Sequence, residues 1–204
     1  MKKVVILLLC ILVLVSGCTI KKTGDITDAE KFSVEYEVSK ENPFNYAKID
    51  DILKIFEDGT GIVFFGNPDS DWSKESAKIL EEALEYKNVT EKVYYYNPIK
   101  IREDNTEDYQ TLIEKLNDYL EEDANEDPYL YIPDIYFVHN GEILGHNNDL
   151  ASMEGYVDEV MTTKRRNEVK DKYIKLLSEY IVREWFYHSF FLKVLYFKSN
   201  ILYN

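Results

Sequence analysis

Apolar and polar positions alternate along the chain in a few distinct periods, and each period predicts an element. Ile49, Ile52, Leu53 and Phe56 share one face of "YAKIDDILKIFEDG", closed by Gly59, so residues 46–59 predict a short amphipathic helix. The unbroken apolar run "GIVFF" ends at the turn-forming "GNPD" and reads as a strand buried on both sides. From Ser70 to Tyr86 the period returns to 3.6, with Trp72, Ile79, Leu80, Ala83 and Leu84 facing inward. "KVYYYN" is the next strand. Asn105 offers an N-cap to "TEDYQTLIEKLNDYLEE", whose stripe is Tyr109, Leu112, Ile113, Leu116 and Leu120.

The second half differs in kind. "DIYFVHNGEILGHN" is two strand-like runs joined by Asn140-Gly141, a strong hairpin signal because both turn positions favour positive φ. "MEGYVDEVMTTKRRNEVKDKYIKLLSEYI" then predicts a helix striped by Val169, Tyr173, Leu176, Leu177 and Tyr180. A strand–helix–strand unit implies a parallel right-handed crossover, whereas the hairpin must be antiparallel. The order β-α-β-α-β-β-α therefore predicts an α/β domain with a mixed four-stranded sheet flanked by helices.

The N-terminus bears on location. Lys2 and Lys3 precede an apolar run from Val4 to Val15, which is short for a membrane span and has the flanks of a secretory signal. Val15-Ser16-Gly17-Cys18 resembles the bacterial lipobox, in which the cysteine is acylated and becomes the new N-terminus. The expectation is a signal peptide over 1–17, a lipidated Cys18 with a polar tether to residue 45, and a domain over 46–181. Acyl chains, at about 0.8 kcal/mol per buried CH₂, would hold that domain on the extracytoplasmic face of a membrane.

This placement changes the meaning of the cysteines. There are two, Cys10 within the signal and Cys18 under the lipid, so the domain has neither a thiol nor an internal disulfide. An exported domain has access to disulfides; this one must rely on an ordinary core. The formal charge of −14 becomes −16 once Lys2 and Lys3 are removed. Such a surface disfavours nucleic acid, which needs Lys and Arg on its phosphates.

Two segments carry a family resemblance. "GIVFFGNPDSDWSKESAKILEEAL" resembles the active-site segment of thioredoxins and of bacteriocin-transport-accessory-type thioredoxin-like proteins, where a strand leads into Cys-x-x-Cys at a helix N-terminus. "YIPDIYFVHNGEILG" resembles the later segment, where a cis-proline precedes the last hairpin. The resemblance implies a thioredoxin-like fold, with Ser70 and Ser73 in the two cysteine positions and Asp71 and Trp72 between them. Thiol–disulfide exchange needs a thiolate that attacks sulfur through a mixed disulfide and a second thiol that resolves it. A serine hydroxyl does neither, so the resemblance implies a non-enzymatic module. If Pro133 is cis as in the family, Ile132 would offer backbone groups to an extended peptide. The competing expectation is an oxidoreductase of the accessory type, against which the missing thiols count.

Other chemistry finds less support in the sequence. A nucleophilic Ser70 or Ser73 would need an adjacent base, and His139 and His146 lie on opposite arms of the hairpin. Asp69-Ser70-Asp71-Trp72-Ser73 begins like a calcium loop but lacks its glycine at the sixth position and its acid at the twelfth. Three scattered histidines without a usable cysteine make no zinc site, and no cofactor is expected. The tail "VREWFYHSFFLKVLYFKSNILYN" has one acid, Glu184, among many aromatics. It is too interrupted to span a bilayer and fits three readings: an interfacial membrane segment, an extension from a shifted reading frame, or an element covering the domain. The frame-shifted or unstructured reading is the favoured one.

Overall fold

A computed structural model describes the backbone of residues 26–153 and 160–202, and side chains as far as residue 185. The signal peptide and Cys18 lie outside the described residues.

The centre of the fold is β2, Gly61–Phe65, buried at every position as its continuous apolar run requires. It pairs in parallel with β3, Val93–Tyr96, and antiparallel with β6, Asp134–His139. β6 forms a hairpin with β7, Glu142–Asn147, whose register shifts between Phe137 and Val138. Gly141, at φ 77°, takes the turn position that only glycine fits: a Cβ there would lie 2.3 Å from the Glu57 carbonyl oxygen.

The sheet has five strands rather than four. The fifth is β1, Phe44–Tyr46, parallel to β3, giving the order β1-β3-β2-β6-β7. It arises within the stretch expected to be tether, as does α1, Asp28–Tyr36. Thr27 and Glu30 start α1 with a reciprocal capping box, and Phe32 and Tyr36, one turn apart, bury completely and stack at 4.1 Å. Phe32 also stacks on Phe44 at 4.1 Å. Three buried aromatic rings thus commit residues 28–46 to the core, and the tether boundary at 45 is corrected to before Asp28.

Two helices cover one face of the sheet, α2 (Ile49–Asp58) and α5 (Glu107–Leu116). Ile52, Ile55, Phe56, Leu112 and Leu116 meet Val63, Phe65, Tyr136 and Val138 there. On the other face α1, α3 (Asp71–Lys87) and α6 (Thr163–Leu202) pack over Ile62, Phe64, Val93, Tyr95, Ile135 and Phe137. The alternation of sheet residues between the faces is the period of two expected of strands. α6 contributes Val169, Tyr173, Leu177 and Tyr180.

Several boundaries differ from the sequence expectation for local reasons. Thr106, not Asn105, caps α5 by accepting from the Tyr109 N–H, while Asn105 turns to φ 44° behind the short α4, Ile99–Glu103. α5 stops at Leu116. A single 3₁₀ turn, Asn117–Tyr119, follows, and then a two-stranded ribbon of β4, Glu121–Glu122, and β5, Pro128–Tyr129. The last helix starts at Thr163 instead of Met153, which sits in a 3₁₀ turn, Ala151–Met153. The helical backbone then runs on through the expected tail to Leu202. Among the described residues no helix is long and apolar enough to cross a membrane.

Candidate functional site

The C-terminal end of β2 carries the turn Gly66–Ser70 into α3. Ser70 is the N-cap: it is in extended conformation and its hydroxyl accepts from the Ser73 N–H at 3.1 Å. Ser73 closes the other half of the turn, its Oγ accepting from the Asn67 N–H at 3.1 Å. Both serines are buried, at 5% and 0% exposure. The Ser70 hydroxyl therefore satisfies a backbone donor that the helix start leaves without a partner, and the Ser73 hydroxyl satisfies one in the turn before it. Asp71 is exposed, and Trp72 is half-buried against the core of the α3 face.

The strand register brings the second predicted segment to the same place. Phe65 pairs with Asp134, so Pro133 and Ile132 lie just beyond the end of β2, beside the serine turn. The Ile132–Pro133 peptide is cis. Ile132 directs its side chain into the core of the α2 face and is 8% exposed, so any recognition there falls to its backbone. Tyr131 donates its N–H to the Tyr129 carbonyl, whereas no backbone–backbone hydrogen bond of Ile132 is found among the described residues.

A cleft of about 580 Å³ adjoins the turn, lined by Asn67, Asp69, Asn97, Ile99, Lys100, Glu103 and Asp104. It forms where β2 and β3 end together: the Gly66 N–H donates to the Tyr96 carbonyl, and the chain then turns into α4. Three carboxylates to one lysine make it acidic.

The hairpin adds a feature that the sequence reading did not single out. Asp134, 1% exposed, lies next to Pro133 with both oxygens within reach of His146 Nδ1, at 3.0 and 3.1 Å. Tyr136 stacks on the His146 ring at 4.9 Å, and Tyr119 meets it edge-on at 5.8 Å. Burial pushes the Asp134 carboxyl up, against the pull of His146. For His146, burial opposes the charge, but the Asp134 carboxylate outweighs it, with Glu121 and Asp149 adding, and the imidazole is held above its ordinary value. The signal for this pair was an acid in phase with Tyr136 and Val138 on a strand that is otherwise apolar. A carboxylate so placed requires a partner.

His139 serves the opposite end of the same hairpin, where its Nδ1 meets Glu184 Oε1 at 2.8 Å. The two histidines thus occupy different ends of the domain. Compared with known proteins, the chain matches no family model and no curated sequence.

Proposed function

We propose that the chain is a redox-inactive, thioredoxin-like lipoprotein of the cell envelope, anchored through Cys18, that binds an extended peptide or a protein partner at the Ser70–Pro133 end of its sheet. The observation that carries this reading is the register of β2 against β6, which sets Ile132 and Pro133 beside the turn capped by Ser70. The strand order β1-β3-β2-β6-β7, with one antiparallel hairpin at its edge, supports the thioredoxin-like assignment. In that assignment the serines stand where exchange would need thiols. The Ser70 hydroxyl caps the helix and the Ser73 hydroxyl closes the turn, leaving a shaped surface with a half-buried indole and backbone groups. Buried aromatic anchors commonly dominate an interface, at about 2 kcal/mol or more for a hot spot, and Trp72 is the aromatic next to this turn.

The test is photocrosslinking in native membranes from single positions. A photoreactive residue replacing Asp71 captures a discrete partner, and one replacing the exposed Lys175 on α6 does not. Trp72→Ala reduces the Asp71 capture about tenfold or more. Capture from position 175 alone would place the binding surface elsewhere. Labelling with a fatty-acid analogue that is lost in Cys18→Ala tests the anchor separately.

A further inference from the structure

α4 stands between two clefts. It gives Ile99, Lys100 and Glu103 to the one beside the serine turn, while Arg102 lines a second, of about 480 Å³, between α5 and the β4–β5 ribbon. Tyr109 and Glu114 of α5 and Asp123, Asp127 and Tyr129 of the ribbon and its loop line the same space.

The floor of this second cleft offers donors. Tyr109 is 8% exposed, and its hydroxyl is buried without a hydrogen-bond partner among the described residues. Burial pushes the phenol up, against the pull of the Leu130 N–H, so the part left unsatisfied is the hydroxyl proton. A buried polar group of this kind calls for an acceptor. Arg102 lies over the Tyr129 ring at 4.8 Å and donates to the Leu130 carbonyl at 3.0 Å, one bond from a group with five donors.

At the rim the sign reverses. Asp123 accepts from the N–H groups of Asn125 and Asp127, which hold it ionised below the usual carboxylate range. Glu114 and Asp127 are exposed. The acids of α3 are matched by Arg166 and Lys170, but among the described residues these two rim acids meet no base.

We propose that the bound segment is a basic peptide, one of whose arginine or lysine residues sits in this cleft, its peptide carbonyl on Tyr109 and Arg102 and its cationic end on Glu114, Asp123 and Asp127. The Arg102 charge sets the direction, since it repels a cation from the floor. The proposal rests on the peptide-binding reading, and the chain joins the two places: Leu130, whose carbonyl Arg102 holds, comes two residues before Ile132. Asp69, Glu103 and Asp104 outnumber Lys100 in the cleft beside the serine turn, so a segment crossing α4 meets carboxylates on both sides.

The experiment titrates the full-length chain, in neutral detergent micelles and isotopically labelled on its tyrosine rings, with acetyl-Ala-Ala-Arg-Ala-Ala-amide. A second titration uses the same peptide with citrulline, which keeps the shape of arginine and loses its charge. The Tyr109 and Tyr129 ring signals should shift, and the citrulline peptide should bind about tenfold more weakly. Tyr109→Phe keeps the ring, removes the donor and should weaken binding about threefold or more. Glu114→Gln/Asp127→Asn should weaken it about tenfold, whereas Glu57→Gln/Asp58→Asn, the same two charges taken from α2, should leave it within about twofold. Equal binding of the two peptides that is lost in Trp72→Ala keeps the peptide-binding reading and overturns the basic anchor. So does binding that both charge-removing pairs weaken alike, which would be general attraction to an acidic surface. If neither peptide shifts the tyrosine signals the proposal also falls, and capture from position 71 then decides the peptide-binding reading by itself.

Discussion

Two polar pairs sit side by side at one end of the sheet and solve different problems. Ser70 and Ser73 are neutral, and each hydroxyl accepts from a backbone N–H within six residues of itself. Asp134 and His146 are ionisable, twelve residues apart, and find each other across a hairpin. Ser70 completes a helix start that any small capping residue could complete, and Ser73 closes the turn before it. The Asp–His pair exists only if β6 and β7 hold their register, and a carboxylate 1% exposed has no water to fall back on. The local pair is replaceable. The non-local one ties the fold directly beneath the candidate binding surface.

Removing one member of the ionisable pair should therefore have the largest effect. His146→Ala leaves the Asp134 carboxylate, 1% exposed, without its partner, and breaking a buried pair in this way costs about 3 kcal/mol or more. Replacing both residues with apolar side chains of similar size should recover most of that loss, because no uncompensated charge remains. Urea denaturation of the single and double variants measures both. Equal losses in the two would mean that packing, not charge, governs the site.

The pair also sets a pH dependence of definite sign. Both groups bind their proton more tightly in the folded chain, since His146 and Asp134 are each shifted upward. Such a contribution is fully present below the unfolded value and is lost as pH rises through the folded one. For His146 that window opens at about 6.5, its ordinary value. The urea midpoint should fall as pH is raised from 6 through the shifted value. In Asp134→Asn the slope should flatten or reverse, because burial is then the main force on the imidazole and favours its neutral form. A wild-type midpoint that rises over the same interval would contradict the pairing.

The comparison also explains what was legible in the sequence. The serine turn was readable because the bonds that shape it are local: a strand end, a turn and an N-cap succeed one another within ten residues. The central strands, the Asn140-Gly141 hairpin and the stripes of α3 and α6 were readable for the same reason. α1 and β1 were not, because their segment is polar on average and its three buried aromatics, Phe32, Tyr36 and Phe44, are justified only by rings elsewhere: Phe64 and Tyr95. The Asp134–His146 pair failed to stand out because the two residues are separated by a turn and a register shift. Proximity of a specific kind, not composition, creates it.

A smaller effect should follow from the cap. Ser70→Ala removes the acceptor for the Ser73 N–H, at about 1 kcal/mol. Ser70→Asp should restore it and add a favourable charge at the helix N-terminus. Thermal melts of the two variants order them below and near the wild type. A loss in Ser70→Ala comparable to that of His146→Ala would mean that the serine does more than cap.

The smallest net change in stability is expected from converting the turn back to thiols. Ser70→Cys with Ser73→Cys gives up the Ser70 cap and the Ser73 turn bond, each worth about 1 kcal/mol. Against this, a disulfide closing a loop of four residues contributes about 2 kcal/mol through the unfolded state, less any strain in the folded one. The two terms nearly cancel, so the informative readout is chemical. Ser73 sits one helical turn beyond Ser70, and the Ser70 hydroxyl already reaches the Ser73 N–H at 3.1 Å, so the two sulfurs are expected within bonding reach. Mass spectrometry of the oxidised double variant should find an intramolecular bridge. Asp69 and Asp71 flank the first position and oppose a thiolate there, so exchange with a small dithiol should be slow even so. Adding Asp69→Asn and Asp71→Asn should speed it. A double variant that keeps two free thiols under oxidation would show that the serine turn lacks the geometry on which the thioredoxin-like reading rests, and the binding surface would then have to be argued from the Asp134–His146 side alone.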